Sequence, residues 1–334
     1  MSPTLLLYCR AGFENECAQE IRTLQPDSAE VARDAGYVAL RGKAAPHWRD
    51  LIFARQCLFT FAHLRDLTRN DRLTSNLAAL RERGEKFNEV WAEAPDSDAG
   101  KQLAPLCKSF GNALVGALKK AQLLDAQAWQ RLHVFFPQGD EVYLCTADPE
   151  FCAPWPQGIP RLKFPRDAPS RSTLKLEEAL LTLLDDGERA RWLKAGMTAV
   201  DLGAAPGGWT YQLVRRSIRV TAVDNGPMDR ALLDSGLVAH RREDGFRYRP
   251  PKPVDWLVCD MVEQPKRVAE LIANWLEQGR CRYAIFNLKL PMKKRFDEAR
   301  QCLARVRAVA GTLRAKQLFH DREEITAFAA ARNP

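Results

Sequence analysis

The sequence lacks paired cysteines, clustered histidines and long apolar runs, and each absence excludes a class of protein. Its nine cysteines are scattered, odd in number and form no CxxC pair, so a disulfide framework is not expected. The five histidines form no ligand-spaced group with these cysteines, so no metal site is predicted. No apolar run approaches the roughly 20 residues that cross a bilayer, so no membrane span is expected.

The same features indicate the compartment and the general class of the protein. The first residues, MSPTLLLYCR, contain three consecutive leucines without a basic segment before them, which is not the pattern of a signal peptide. With unpaired cysteines, this favours a cytoplasmic location. The 334 residues are 46% apolar and 28% charged, which is typical of a soluble globular chain of about two domains. The oligomeric state stays open, a monomer included.

Charge and proline divide the chain into two unlike halves. Residues 1–155 carry 18 Lys/Arg against 20 Asp/Glu, a net charge of −2, whereas residues 156–334 carry 32 against 22, a net charge of +10. The second half therefore suits a polyanionic partner, although solubility alone explains the charge equally well. Six prolines between 149 and 169 exclude a regular helix or central strand there, so a linker is predicted over 149–170.

Hydrophobic periodicity predicts an α+β half followed by a regular α/β half. In the first half, strands are expected at 5–9, 37–40, 57–64, 87–92, 132–136 and 142–145, and helices at 13–24, 75–83 and 102–124. In the second half, strands are expected at 197–202, 219–224, 237–241, 255–260, 282–288, 313–319 and 324–329, and helices at 172–184, 207–216, 227–234, 264–278 and 293–310. This alternation predicts a mostly parallel seven-stranded sheet, whose last two strands form an antiparallel edge pair.

A glycine-rich turn between the first strand and the next helix is the sharpest motif. It reads TAVDLGAAPGGWT over 198–210, so that Ala205, Pro206, Gly207 and Gly208 would lie at the carboxyl end of a strand, where α/β sheets bind ligands. Neither a GxGxxG fingerprint nor a Walker A loop is present. Acids follow the next two strands: Asp224 could accept hydrogen bonds from ribose hydroxyls and Asp244 from an adenine amino group, unless both are only turn-capping residues.

These motifs resemble a known family of enzymes. DLGAAPGGWT, VDNGPM, REDGF and VCDMV resemble the motifs of S-adenosylmethionine-dependent, FtsJ-like ribose 2′-O-methyltransferases. With SRSTLKLEEA and FNLKLPMKKR, they closely resemble the large-subunit ribosomal RNA cytidine 2′-O-methyltransferase M family over about 160–330. The resemblance implies S-adenosyl-L-methionine as cofactor, ribosomal RNA as partner and no metal. Ala205 is a departure, because many members of the family carry cysteine there.

The resemblance also implies a domain plan. The first half is more weakly similar to a ferredoxin-like subdomain, placed at 1–70, followed by a THUMP-like RNA-binding domain, placed at 71–148. The linker over 149–170 then leads to the Rossmann-like methyltransferase domain over 171–334.

A catalytic tetrad follows from the same resemblance. By motif position its members are Lys175, Asp260, Lys289 and Glu324, with Asp260 also close to the cofactor. Lys289 is expected to be the general base, since burial and a second ammonium favour a neutral lysine amine. The neighbouring Glu323 is an alternative to Glu324, and strand alternation sends the two to opposite faces. Ser172 matches a family position near the cofactor, or else is a helix N-cap.

Other functions are compatible with parts of the pattern. A ribose methyltransferase acting on transfer RNA or an mRNA cap would carry the same motifs, and a non-catalytic RNA-binding protein could retain a relic cofactor pocket. A nicotinamide-dependent oxidoreductase is a more distant alternative. Cys259 suggests 5-methylcytosine chemistry, but a buried strand thiol explains it more simply. Basic residues precede and follow the motifs and predict a phosphate-binding rim; they are Arg161, Lys163, Arg166, Arg171, Lys293, Lys294 and Arg295.

Overall fold

The computed structural model describes residues 4–332, so the outermost residues of the first and last predicted domains, 1–3 and 333–334, lie outside it. The chain divides into two units, residues 1–160 and 161–334. Each unit contains a seven-stranded sheet.

From residue 4 onward, the first unit contains seven strands and four α-helices. They are β1 (Thr4–Cys9), α1 (Glu14–Leu24), β2 (Ala29–Asp34), β3 (Tyr37–Arg41), β4 (Ala54–Leu64), α2 (Arg72–Arg83), β5 (Val90–Glu93), α3 (Asp98–Gln102), α4 (Ala104–Lys120), β6 (Arg131–Gln138) and β7 (Glu141–Ala147). The strand order is β2-β3-β1-β4-β7-β6-β5. Neighbours are antiparallel except β5 and β6, which are parallel. The predicted α+β character of this half is therefore present.

The long strand β4 makes this sheet continuous. It pairs with β1 on one side and with β7 on the other, so the regions predicted as ferredoxin-like and THUMP-like share one sheet. One of its core clusters includes Leu6 and Tyr143, and another includes Leu114 and Phe136. The sheet thus buries apolar residues from both regions.

Two predictions for this half were wrong in detail. The helix expected over 102–124 is the shorter α4, which starts at Ala104 because Pro105, without an amide hydrogen, suits the first turn of a helix. It ends at Lys120, shortly before Gln122 takes a left-handed φ of 57°. The short helix α3 before it was not predicted. Strand β2 was missed because it is a largely exposed edge strand without an apolar pattern.

The second unit alternates strands and helices as predicted. It contains α5 (Thr173–Leu183), α6 (Asp186–Trp192), β8 (Thr198–Leu202), α7 (Gly208–Val214), β9 (Arg219–Val223), α8 (Arg230–Asp234), β10 (Val238–Arg241), β11 (Val254–Cys259), α9 (Pro265–Glu277), β12 (Cys281–Lys289), α10 (Arg295–Arg307), β13 (Ala310–Lys316) and β14 (Glu324–Ala331). The order is β10-β9-β8-β11-β12-β14-β13. The strands from β10 to β12 are parallel, and β14 is antiparallel to both neighbours. The predicted α/β class with a mostly parallel seven-stranded sheet is confirmed.

Buried apolar strands hold this sheet between its helices. Trp256 and Phe328 are fully buried in a cluster that also takes Leu176 and Leu180 from α5 and Trp209 from α7. Helix α6, which was not predicted, starts with a capping box in which Asp185 and Glu188 bond each other's backbone amides. Within residues 4–332, no helix is long and apolar enough to span a membrane.

Strand β13 ends three residues earlier than predicted, and side chains explain why. The amides of Phe319 and His320 donate to the buried carboxylate of Glu178, and the amide of Leu318 donates to Asp321. These three amides are therefore unavailable to the sheet, and residues 318–321 form a loop instead. This loop returns the chain to β14, which enters between β12 and the edge strand β13.

Candidate active site

The glycine-rich turn lies where the sequence predicts it, between β8 and α7. Gly203 has a φ of +77°, and a Cβ on it would lie 2.8 Å from Met261 Cγ. A Cβ on Gly208 would lie 2.1 Å from the hydroxyl oxygen of Ser172. The absence of side chains at these two positions therefore allows the turn to pack against the residues after β11 and before α5.

A cleft of about 430 Å³ opens beside this turn. Four of the residues predicted to bind a cofactor line it, namely Ala205, Asp224, Asp244 and Asp260. The other four residues predicted to bind a cofactor are not among the described residues that line the cleft; they are Pro206, Gly207, Gly208 and Ser172. The volume falls within the range of about 300–1,000 Å³ that is usual for small-molecule sites.

Two of the acids that line the cleft, Asp224 and Asp244, also hold its walls. Asp224 accepts hydrogen bonds from the amides of Ala205, at 3.1 Å, and Gly226, at 2.7 Å. Asp244 is exposed and accepts from the amide of Phe246 at 2.9 Å. Each carboxylate thus holds a turn, and each keeps lone pairs for a ligand in the cleft.

Ser172 contacts the turn from the start of α5. Its hydroxyl lies 2.6 Å from that of Ser170, and it makes no side-chain capping bond to the helix. The interpretation as an ordinary N-cap is therefore not supported by its contacts.

The predicted catalytic side chains meet at one edge of the sheet. Asp260 follows β11, Lys289 ends β12, and Glu324 begins β14, directly opposite Lys289 in the antiparallel register. Lys175 approaches from α5, which packs against β13 and β14. Because parallel strands end at the same edge and β14 starts there, residues distant in sequence come within contact distance.

Their four charged groups alternate in sign along a chain of contacts. Lys175 Nζ lies 3.2 Å from both oxygens of Asp260 and 2.7 Å from Glu324 Oε1. Lys289 Nζ lies 2.8 Å from Glu324 Oε2. Glu324 therefore bridges the two lysines, whereas Glu323 is exposed and pairs with Arg295 at 2.7 Å. The geometry brings Glu324, and not Glu323, to the lysines.

Burial and charge oppose each other at this cluster. The side chains of Lys175 and Glu324 are 9% and 7% exposed, and that of Lys289 is 34% exposed. Burial opposes ionisation of Glu324, but Lys175 and Lys289 outweigh it and hold the pKa of this carboxyl below its usual value. Burial likewise opposes the ammonium of Lys175, but neighbouring carboxyl groups, Asp260 foremost, raise the pKa of Lys175 above its usual value.

Sequence reasoning missed a set of buried polar side chains behind the cluster. Asn287 donates to Asp260 at 2.6 Å, and the hydroxyl of Thr326 lies 2.6 Å from the amide oxygen of Asn287. Asp321 contacts the same hydroxyl at 2.9 Å. Strand alternation could have indicated two of them, since Asn287 and Thr326 lie two residues from Lys289 and Glu324 and share their face.

Two further buried groups lie close to the cleft. Asp201 accepts from the Thr210 hydroxyl at 2.6 Å, and burial raises the pKa of Asp201 to about 7. Burial raises the pKa of Cys259 to about 12, so this thiol stays protonated at neutral pH and does not suit attack on a base. No group of three potential metal ligands occurs among residues 4–332.

Fold and site geometry together define an FtsJ-like methyltransferase, and the model of that family matches residues 168–321. Two further models match the first unit: "Ribosomal RNA large subunit methyltransferase M, N-terminal" over 71–148 and "RlmM ferredoxin-like domain" over 1–58. The chain belongs to the ribosomal RNA large subunit methyltransferase M family. The THUMP-like character of residues 71–148 stays a prediction.

Two relatives from Xanthomonas support this assignment. The chain is 53% identical to "Ribosomal RNA large subunit methyltransferase M" of Xanthomonas campestris pv. campestris, over 97% of this chain and 98% of the relative. The protein of the same name from Xanthomonas oryzae pv. oryzae is also 53% identical, with the same coverage. Among solved structures, TrmN from Thermus thermophilus is 16% identical over 98% of this chain and 99% of that one, with a TM-score of 0.40.

Proposed function

We propose that this chain transfers a methyl group from S-adenosyl-L-methionine to the ribose 2′-hydroxyl of a cytidine in large-subunit (23S) ribosomal RNA. The observation that carries the proposal is the position of Asp260, which both lines the cleft and contacts Lys175 of the charged cluster. A ligand in the cleft and a base at the cluster would therefore act on neighbouring atoms, as a transfer reaction requires.

The residues of the cleft suit an adenosine-containing ligand. Asp224 could accept hydrogen bonds from a ribose diol, and Asp244 from an adenine amino group. Gly203 and Gly245 line the cleft, and a Cβ on Gly245 would lie 2.9 Å from Met261 Sδ, so side chains there would narrow it. When bound, S-adenosylmethionine supplies a methyl group on a positively charged sulfur.

The lysine at the exposed end of the cluster is the proposed general base. Lys289 ends β12 and is the more exposed of the two lysines, so it can release its own proton to solvent. Its neutral amine then takes the proton of a ribose hydroxyl. Glu324 orients Lys289 through the 2.8 Å contact, and Lys175 keeps Glu324 ionised. Asp260 orients Lys175 from the side of the cleft.

The test of this function is the methylation map of ribosomal RNA. Cells lacking the gene are expected to lose one ribose methylation in the large-subunit RNA, which the gene restores. Loss of a mark on transfer RNA or on an mRNA cap instead would contradict the proposed substrate. No change in any RNA, despite binding of S-adenosylmethionine, would support a non-catalytic RNA-binding protein.

Asp224→Ala is expected to weaken binding of S-adenosylmethionine by about 1–3 kcal/mol, the cost of leaving buried hydrogen-bonding groups unpaired. Isothermal calorimetry measures this directly. Asp234→Ala, on the exposed side of α8, is the matched control and is expected to bind as the parent does. Unchanged affinity in both Asp224→Ala and Asp244→Ala would remove the cofactor assignment of this cleft.

The basic rim is the proposed contact with RNA phosphates. Lys293 and Lys294 are exposed just after β12, and Arg161, Lys163, Arg166 and Arg171 are exposed before α5. Arg295 differs from them, because it is only partly exposed and pairs with Glu323. The lysine pair therefore tests the rim better than a set that includes Arg295.

Lys293→Gln/Lys294→Gln is expected to weaken RNA binding and to flatten its dependence on salt, by about 0.7 units of logarithmic slope for each phosphate that the variant no longer neutralises. Affinity for S-adenosylmethionine should hardly change, because this cofactor carries no phosphate. Fluorescence anisotropy at several salt concentrations measures the slopes of parent and variant. Lys194→Gln/Lys252→Gln is the control, since these exposed lysines precede the amino ends of β8 and β11. Equal slopes in parent and variant would exclude phosphate binding here.

The cytoplasmic location is part of the same proposal. All nine cysteines are free and buried, which suits a reducing compartment, and that is also where ribosomal RNA is made in a bacterium.

A further inference from the structure

Three fully buried polar side chains connect Asp260 to the loop before β14. Asn287, Thr326 and Asp321 are each no more than 1% exposed, so they lie away from bulk solvent. Asn287 Nδ2 lies 2.6 Å from Asp260 Oδ1, Thr326 Oγ1 lies 2.6 Å from Asn287 Oδ1, and Asp321 Oδ1 lies 2.9 Å from Thr326 Oγ1. Each of these direct contacts needs one proton between its two atoms, and the four side chains supply it.

The charge of Asp260 fixes the direction of the first two bonds. Asp260 faces the ammonium of Lys175 at 3.2 Å and is therefore an acceptor. Asn287 must present its NH2 group to Asp260, since the opposite orientation would place a carbonyl oxygen 2.6 Å from a carboxylate. The amide oxygen of Asn287 then faces Thr326, and it can only accept. The single hydroxyl proton of Thr326 is thus committed to Asn287.

The position of Asp321 then requires a proton on its own carboxyl group. Oδ2 of Asp321 accepts from the amide of Leu318 at 2.9 Å and lies 3.1 Å from Thr326 Oγ1, so Oδ1, at 2.9 Å, is the oxygen nearer to that hydroxyl. With the Thr326 proton directed to Asn287, an ionised Asp321 would place two oxygens 2.9 Å apart without a proton between them. A neutral Asp321 that donates from Oδ1 satisfies every atom in the series.

We propose that Asp321, Thr326 and Asn287 are positioning residues that form a directed hydrogen-bond chain, in which neutral Asp321 donates to Thr326, Thr326 to Asn287, and Asn287 to Asp260. The chain fixes the orientation of the Asp260 carboxylate and, through it, the ammonium of Lys175. The proposal rests on the proposed methyl transfer only for its effect on rate, because the protonation of Asp321 is a property of the protein alone.

The surroundings of Asp321 favour its neutral form. Burial is the largest cause that raises the pKa of Asp321 well above its usual value, and the carboxylates of Glu324 and Glu178 act in the same direction. Lys175 opposes them. Lys316, opposite Thr326 in the register of β13 and β14, is the other buried basic residue at this place in the sheet. The ammonium of Lys175 is already held by Asp260 and Glu324, so it does not require an ionised Asp321.

The first test removes the hydroxyl group of Thr326 from the middle of the hydrogen-bond chain. Thr326→Val is expected to lower the single-turnover methylation rate by at least about tenfold, the order of effect that follows when a catalytic group loses its orientation. Thr326→Ser restores the hydroxyl and is expected to recover most of that rate, while KM for RNA stays close to the parent value in both. Thr312→Val, on the edge strand β13, is the matched control. Equal methylation rates in the valine and serine variants would contradict the proposed hydrogen-bond chain.

The second test separates a donor from an acceptor at residue 321. Asp321→Asn supplies a permanent N–H donor, whereas Asp321→Ala supplies none, so the asparagine variant is expected to turn over at least about tenfold faster than the alanine variant. If Asp321 acts as a carboxylate instead, both variants lose activity together, and the proposal fails.

A measurement that does not depend on activity distinguishes the neutral Asp321 from the proposed methyl transfer. Infrared difference spectra of the parent minus Asp321→Asn at neutral pH are expected to show the carbonyl band of a protonated carboxylic acid. A carboxylate band in its place would overturn the neutral Asp321, whether or not the protein methylates RNA. If the parent protein shows the acid band but methylates no ribose, the proposed function is contradicted, whereas the proposed hydrogen-bond chain still holds.

Discussion

Lys289→Arg is expected to lower the single-turnover methylation rate by at least about 100-fold, the lower end of what a general base contributes. The guanidinium keeps the positive charge and can keep the contact with Glu324, which lies 2.8 Å from Lys289 Nζ in the parent. It does not give up a proton near neutral pH, so it cannot accept one from a ribose hydroxyl. The defect should therefore appear in the chemical step and not in binding, as rapid-quench assays at saturating RNA and cofactor would show.

The interpretation of this variant depends on two comparisons. Calorimetry should give the same affinity for S-adenosylmethionine as in the parent, since Lys289 does not line the cleft. Lys252→Arg, at an exposed position before β11, is the matched control for the substitution itself. A Lys289→Arg variant with a near-parental rate would show that another group accepts the proton.

Much of the second unit could be predicted from the sequence because its strands and helices are separated by clear turns. The order of strands is a property of the fold and not of any local segment, yet the alternation alone was sufficient to predict a mostly parallel sheet. The end of β13 could not be predicted, because Glu178 and Asp321 take the amides that would have continued it. Glu178 lies about 140 residues before that loop, on α5.

The candidate site shows the same limit at the level of side chains. Motif positions were sufficient to propose Lys175, Asp260, Lys289 and Glu324, and strand ends were sufficient to propose Asp224 and Asp244. Those cues mark groups that reach a sheet edge. Behind Asp260, strand alternation marks Asn287 and Thr326 but not Asp321, because the contact of Asp321 depends on how the loop at 318–321 returns to the sheet.

Lys175→Met is expected to lower the free energy of unfolding by about 3–5 kcal/mol at neutral pH, the cost of removing one partner from a buried ion cluster. Methionine fills a similar volume, but it leaves Glu324 and Asp260 without the ammonium that lies 2.7 and 3.2 Å from them. Urea denaturation of the parent and the variant measures the difference. Lys194→Met, at an exposed position, is the control and is expected to change little.

The size of this deficit should depend on pH in one direction. In the parent, the pKa of Glu324 is below its usual value, so its carboxylate contributes stability above the unfolded pKa of about 4.3, and the contribution is lost as pH falls through the lower folded value. Without Lys175, the contact of Glu324 with Lys289 remains, but the burial that opposes ionisation of the Glu324 carboxyl is less well offset. The deficit should therefore be complete at neutral pH and shrink as pH falls toward 4, because Glu324 of the variant, with less compensation, binds a proton at a higher pH than Glu324 of the parent and then no longer carries a buried charge.

A double variant tests whether the charge of Glu324 causes the deficit. Glu324→Gln removes the carboxylate that Lys175 compensates, so Lys175→Met/Glu324→Gln is expected to be less destabilised than the two single changes added together. The amide of glutamine can still accept a hydrogen bond from Lys289, which keeps the second contact in place. Strict additivity, or a Lys175→Met deficit that stays constant from neutral pH down to about pH 4, would show that the loss comes from packing and not from the buried ion cluster.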